Sequence, residues 1–261
     1  IEYEVLPAVL SIDEALKNES YVSPVQTMAR GDLGAAFKES KRRLTGEFRA
    51  GGQDHFYLEG QIALATPGDT GDIHVLSSTQ HPTEIQHGVA HLLGIPFSAV
   101  TAEVRRMGGG FGGKESQATI IAGIAAVLAM KAKRPVKLRL PRDDDMRATG
   151  KRHPFLIRYD AGFDDTGKIL ALDLLLASNG GNVADHSPAV MTRALCHSDN
   201  AYWLPNLRFR GYSCRTNTVS NTAFRGYGGP QGMIAIETIV DTIAQHLSVT
   251  PDDVRRANYY G

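Results

Sequence analysis

Cysteine and tryptophan are scarce in this chain: 261 residues hold two cysteines, Cys196 and Cys214, and one tryptophan, Trp203. Two cysteines supply neither a disulfide framework nor the thiolate set of an iron–sulfur or Cys-rich metal site. Charge of one sign is missing too. Lys plus Arg is 28 and Asp plus Glu is 28, without the basic excess that phosphate neutralisation or binding to acidic lipid demands, so neither nucleic acid nor membrane is expected as a partner. The longest apolar run, Ile120 to Met130, falls short of a bilayer span. No basic n-region and apolar h-region opens the chain, which starts at Ile1 without an initiator Met and reads as a piece of a larger cytoplasmic protein. What remains is ordinary globular composition, 42% hydrophobic and 21% charged. A chain of this length buries roughly 70–75% of its unfolded surface in one or two domains. Residues 1–20 read as a connection from a preceding domain and residues 21–261 as one folded domain.

Glycine, by contrast, is abundant, with 27 residues unevenly spread and two dense clusters, in Gly108–Gly113 and Gly226–Gly229. Around them the hydrophobic period switches between helix and strand. Ile85, Val89, Leu92 and Leu93 recur at helical spacing and predict an amphipathic helix over Pro82–Leu93, with proline in its first turn. Ala99–Arg106 alternates as a strand. Ser116–Lys131 is apolar nearly all round and predicts a buried helix, and Val136–Leu140 a short buried strand. Phe155, Ile157, Tyr159, Ala161 and Phe163 alternate with period two, Asp164–Gly167 supplies a turn, and Lys168–Ala177 returns as an antiparallel partner. Leu207–Cys214 reads as another strand. Pro230 opens a long helix with Ile236, Val240, Ile243 and Leu247 on one face, and Pro251-Asp252-Asp253 starts a short last one whose acids suit the helix dipole. Mixed sheets with interspersed helices predict an α+β fold.

The chemistry concentrates in Arg105-Arg106-Met107-Gly108-Gly109-Gly110-Phe111-Gly112-Gly113-Lys114-Glu115. A strand leads into it and a helix leaves it, so backbone N–H groups and the helix dipole make a cradle for an anion or an oxo ligand, and glycine lets the backbone come close. Gly108, Gly110 and Gly113 satisfy GxGxxG, which points to a nucleotide-binding module. Gly108–Lys114 satisfies most of GxxxxGK[ST], but Glu115 stands where a Mg²⁺-binding hydroxyl belongs. A plain strand-to-helix corner is the third reading. Thr222–Gln231 also precedes a helix, and two such loops suggest one extended ligand clasped from both sides. His87 and His91 have the spacing of a helical zinc pair, yet Gly88 replaces the acid such a site uses, and no metal is expected there.

In order along the chain, Gly51–Glu59, Ser78–Gln80, Met107–Glu115, Arg152–Phe155 and Asn221–Gln231 resemble the molybdopterin-binding subunit of the xanthine dehydrogenase family, nearly end to end. The resemblance implies a first molybdenum-cofactor-binding domain and oxidative hydroxylation of an sp² carbon beside a ring nitrogen, here the conversion of hypoxanthine and xanthine to urate. It implies that Gln80 hydrogen-bonds the apical oxo group of the molybdenum, that Phe111 and Gly112 wrap the same group, and that the Arg225 loop lies against the metal centre. It also implies that Glu115 and Arg193 act on the substrate, the acid binding the purine ring and the guanidinium stabilising charge that develops as the ring is attacked. Tyr227 takes the place of a family phenylalanine that contacts the flat substrate, and its hydroxyl needs a partner if buried. Related aldehyde oxidases carry apolar residues at the positions of Glu115 and Arg193, so an aldehyde or other azaheterocycle hydroxylase is the second choice. By the same resemblance the general-base glutamate and most pterin-binding loops lie in a downstream molybdopterin-binding domain, iron–sulfur clusters and FAD lie elsewhere in an oligomeric enzyme, and these 261 residues alone are inactive.

Overall fold

A computed structural model describes residues 1–260. In chain order the elements are α1 (Ile12–Lys17), β1 (Gln26–Arg30), α2 (Leu33–Glu39), β2 (Arg42–Ala50), β3 (Ile62–Pro67), β4 (Ile73–Ser77), α3 (Pro82–Leu93), β5 (Val100–Glu103), α4 (Gln117–Ala132), β6 (Val136–Arg139), α5 (Arg142–Ala148), β7 (Phe155–Phe163), β8 (Ile169–Gly181), α6 (Ser187–Cys196), β9 (Leu207–Arg215), α7 (Gly229–Leu247) and α8 (Pro251–Asn258). They fall into two compact units. Among the described residues the first comprises Ile1–Gly52, His153–Thr218 and the chain from Gly226 onward, the second Gln53–Arg152 and Val219–Arg225. The α+β class expected from the sequence is the observed one.

The first unit is built on a five-stranded sheet in the order β1-β9-β8-β7-β2. The hairpin of β7 and β8 forms where period-two alternation and the Asp-Asp-Thr-Gly turn place it: Asp164 Oδ1 accepts from the Thr166 and Lys168 N–H groups, and Gly167 takes φ +83°. Phe155, Ile157, Tyr159, Ala161 and Phe163 face Ile236, Ile239, Val240 and Ile243 of α7 in one apolar core. On the opposite face Leu156, Ala177 and Cys214 are covered by Ile12 and Ala15 of α1, whose Ser11 and Glu14 form a reciprocal cap. Helices α6 and α7 approach closely because Gly228 and Gly232 lack a side chain: a Cβ there would strike the Val190 and Ala194 carbonyls of α6.

The second unit carries a four-stranded sheet in the order β5-β4-β3-β6, with β4 and β5 parallel and the other pairs antiparallel. Ala63, Ala65, Ile73, Val75 and Val100 face α3 and α4, and small side chains at Ala122, Ala125 and Ala126 let α4 lie tight against the strands. Helix α3 has the bounds its spacing predicts and stops at Gly94, which is left-handed. Three expectations are corrected. Strand β6 is an edge strand with alternate residues exposed, because the hydrophobic count of five residues does not say which face is covered. Helix α4 is buried on one side only, leaving Ile120, Ile124, Val127 and Leu128 exposed. The strand expected over Ala99–Arg106 is shorter, since the chain leaves β4 after Glu103.

Candidate functional site

Between β5 and α4, inside the second unit, the glycine-rich segment makes a corner. The Gly108 N–H donates to Glu59 Oε2 at 2.8 Å, and Gly113 N–H closes a turn onto the Gly110 carbonyl at 2.8 Å. Gly109, Phe111 and Gly112 all take left-handed φ, +93°, +53° and +100°. Gln80 reaches into this corner just before α3. Its side-chain oxygen accepts from the Gly112 N–H at 2.8 Å and the Lys114 N–H at 3.3 Å, while its backbone N–H donates to the Lys114 carbonyl at 2.8 Å. The expectation of a cradle open to a ligand oxygen is therefore corrected in part: two of its N–H donors already hold the Gln80 oxygen. Because both partners are donors, the amide orientation is determined. Oxygen faces the loop, and Nε2 faces outward, 3.4 Å from Glu115 Oε1. Gly110 has no side chain because a Cβ would collide with the Gln80 amide.

A strap, Val219–Arg225, crosses this corner. The Arg225 N–H donates to the Phe111 carbonyl at 2.9 Å, and the Gly112 Cα lies so close to the Ala223 carbonyl that a Cβ would sit 2.6 Å from its oxygen. His55 donates through Nε2 to the Ala223 carbonyl at 2.6 Å, and Arg152 donates to the Arg225 carbonyl at 2.8 Å with its guanidinium 4.0 Å from the Phe224 ring centre. Gln80, Phe111, Gly112, Glu115 and Arg225 are thus gathered by one corner and its strap. The Phe111 ring is 49% exposed, its N–H has no partner among the described residues, and the exposed Arg225 guanidinium likewise makes no side-chain contact of its own among them.

Beneath the corner lies Lys114, wholly buried. Its Nζ donates to the Glu59 carbonyl at 2.6 Å and the Ser78 hydroxyl at 2.7 Å, and stands 4.5 Å from the Tyr57 ring centre. Burial pulls its pKa below the ordinary lysine value, with Glu59 acting in the opposite direction. Burial also acts to raise the Glu59 carboxyl, but hydrogen bonds from Gly108 and Ser78 outweigh it and hold the group below the usual carboxylate range. A lysine anchored inward cannot reach a triphosphate, so the likeness to GxxxxGK[ST] is one of spacing alone. Sequence reading missed the parts played by His55, Glu59, Lys114 and Arg152. Their signal lay within Gly51–Glu59, Met107–Glu115 and Arg152–Phe155, but partners distant in sequence give each its role.

His55 also makes this unit sensitive to acid. Burial depresses its pKa below 6.5, with the Ala223 carbonyl acting in the opposite direction. Well above 6.5 the ring is neutral whether the chain is folded or not. As pH falls below 6.5 the unfolded chain takes up a proton that the folded one resists, so stability is lost down to the folded value, at no more than about 1.4 kcal/mol per pH unit. Relative to His55→Gln, the unsubstituted protein is expected to lose melting temperature progressively below pH 6.5. Parallel curves for the two proteins would show that His55 carries no such linkage.

Arg193 and Tyr227 belong to the first unit. Arg193 is exposed in the last turn of α6, and its guanidinium has no hydrogen bond or ion pair among the described residues. Tyr227 takes φ +49° between Gly226 at +92° and Gly228 at +95°. Its hydroxyl lies 2.7 Å from His186 Nδ1, the ring partner the extra oxygen requires, with the two rings edge to face. The glycine contacts between α6 and α7 fix Tyr227 and Arg193 on one packed helix pair. His87 rests against the Phe97 ring at 4.1 Å between centres. Among the described residues no three His, Cys, Asp or Glu side chains converge as a metal site, and no helix is long and apolar enough to cross a membrane.

A sheet-backed corner that fixes an amide, clears backbone around it and turns donors outward suits an α+β domain that binds a cofactor, and the sequence comparison assigns that class. Residues 14–259 match the sequence profile of the molybdopterin cofactor-binding domain, and the chain belongs to that family. The xanthine dehydrogenase/oxidase of Gallus gallus is 46% identical over 261 residues, all of this chain and 19% of that protein. Xanthine dehydrogenase 1 of Arabidopsis thaliana is 46% identical over 263 residues, 99% of this chain and 19% of that one. The chain thus spans about a fifth of the length of these curated relatives. Among solved structures, the aldehyde oxidoreductase of Desulfovibrio gigas superposes with a TM-score of 0.88 at 28% identity, covering 99% of this chain and 29% of that one. The quinoline 2-oxidoreductase of Pseudomonas putida 86 superposes with a TM-score of 0.82 at 26% identity, covering 99% and 34%.

Proposed function

We propose that this chain forms one side of the molybdenum-cofactor cradle in a larger enzyme that hydroxylates hypoxanthine and xanthine to urate. The observation that carries the reading is the Gln80 amide, locked by the Gly112 and Lys114 N–H groups so that its own N–H faces outward. The donor set fits an oxygen-rich, anionic group: an outward amide, the Phe111 N–H and the Arg225 guanidinium, on backbone that no Cβ obstructs. When bound, the molybdopterin group supplies the two-electron oxidation of the substrate carbon, and iron–sulfur clusters and FAD elsewhere in the protein carry the electrons away. This chain's residues bind and orient. Gln80, Phe111, Gly112 and Arg225 contact the cofactor. Glu115, its carboxylate within reach of the Gln80 amide, binds the purine ring, Arg193 stabilises negative charge as it develops on the purine, and Tyr227 offers a ring face. The names of the curated relatives, and the paired acid and guanidinium at positions 115 and 193, support a purine over an aldehyde. The inward Lys114 and the occupied loop donors weigh against a nucleotide-binding module.

The test uses the full-length protein. Molybdenum in the purified enzyme supports the reading; nicotinamide dinucleotide binding without molybdenum overturns it. Arg193→Met is expected to reduce kcat/KM for hypoxanthine by about 10- to 150-fold, or about 1.5–3 kcal/mol, the range for hydrogen bonds to charged groups. Aldehyde oxidation should fall much less. An equal loss on both substrates removes the purine assignment.

A further inference from the structure

The outer face of the second unit's sheet has no use in the cradle, and its composition is unusual for a face turned away from its helices. In an antiparallel sheet covered on one side, the other side is ordinarily polar. Here Ile62, Leu64 and Leu76 sit side by side at its centre, each half-buried, and form the floor of a groove. Two adjoining hollows of about 320 and 280 Å³ make up this groove and share Glu59, Ile62 and Lys137. Cations line its rim. Arg106, Lys137 and Arg139 are exposed, and none has an ion pair or side-chain hydrogen bond among the described residues. The carboxylates nearby are already engaged: Glu59 accepts from Gly108 and Ser78, and Glu103 pairs with His74 and Arg105. The face cannot neutralise itself.

We infer that this groove docks an acidic peptide segment bearing aliphatic side chains, supplied by the larger protein from outside these 261 residues. Charge and surface chemistry select that occupant. Three cations without partners call for carboxylates, and three half-buried aliphatic side chains between them call for an apolar anchor. The curated relatives are about five times as long as this chain, so a protein of that size has ample chain to supply the segment. An acidic segment laid across the open side of β3, β4 and β6 would cover the aliphatic floor and place its carboxylates against Lys137 and Arg139. Neither contact involves a residue assigned to the cofactor or the purine.

Lys137 provides the test, in the purified full-length protein. Its rate of acetylation by an amine-reactive reagent is compared with the rate in the same protein unfolded in urea, and zero-length carbodiimide cross-links from Lys137 are mapped by mass spectrometry. At least about tenfold protection is expected, the effect of a contact worth about 1.4 kcal/mol, together with a cross-link from Lys137 to an aspartate or glutamate outside residues 1–261 of the same chain. Weaker protection overturns the inference. So does a cross-link found only to Glu59 or Glu103, one reaching only a second copy of the protein, or none at all. The readout involves neither molybdenum nor turnover, so its failure leaves the proposed function standing, and failure of that function leaves the groove standing.

Discussion

Gly112→Ala is expected to lower stability by about 3–4 kcal/mol, and the melting temperature by roughly 6–16 °C, with loss of the cofactor-facing corner. Two costs add at this position. The backbone is left-handed at φ +100°, where any residue with a Cβ is strained. The added carbon would also sit 2.6 Å from the Ala223 carbonyl oxygen and 2.9 Å from the Phe224 nitrogen, both of them backbone atoms held by the strap. Relief by a rotamer change is impossible. The strap can move only by breaking the His55–Ala223 hydrogen bond or the Arg225–Phe111 one. Gly51→Ala is the control, since a Cβ there meets nothing within 4 Å. Thermal denaturation of both variants decides the matter, and equal melting temperatures would show that the strap does not confine Gly112.

Lys114→Met is expected to cost about 2–5 kcal/mol. Methionine fills most of the lysine's volume, so packing is nearly conserved and the loss is electrostatic. The Glu59 carbonyl and the Ser78 hydroxyl lose the donor that joins them, in a place where the lysine side chain admits no water. The Glu59 carboxylate, which holds the Gly108 N–H, also loses the nearby cation. Lys114→Arg should restore the charge yet fail to restore stability, because a forked guanidinium does not fit between those two acceptors and the Tyr57 ring. Melting temperatures near that of the unsubstituted protein for Lys114→Met would show that the buried cation contributes nothing to holding the loop.

The two glycine clusters illustrate how much of the site was legible. Five glycines in the six positions Gly108–Gly113 announced a corner, and order and spacing announced the family. The division of Thr222–Gln231 did not show. Its first part is the strap over Phe111 and Gly112, while Gly228, with Gly232 just beyond the segment, serves the packing of α7 on α6. Both uses demand small residues and close backbone, so composition cannot separate them. Gln80 was legible as a cofactor ligand by resemblance, but the reason it faces the right way, two N–H donors 32 and 34 residues further on, was not.

What the amino-acid order determined by itself is local: the period-two hairpin of β7 and β8, the helical face of α3, the caps, and the turns that need glycine, because each depends on neighbours within a few residues. Only the tertiary structure decided which apolar residues are covered, as the exposed side of α4 and the half-open β6 show, and that Lys114 turns inward while the Gln80 amide turns outward. Those outcomes depend on partners brought close by folding, whose hydrogen bonds and burial no sequence period encodes.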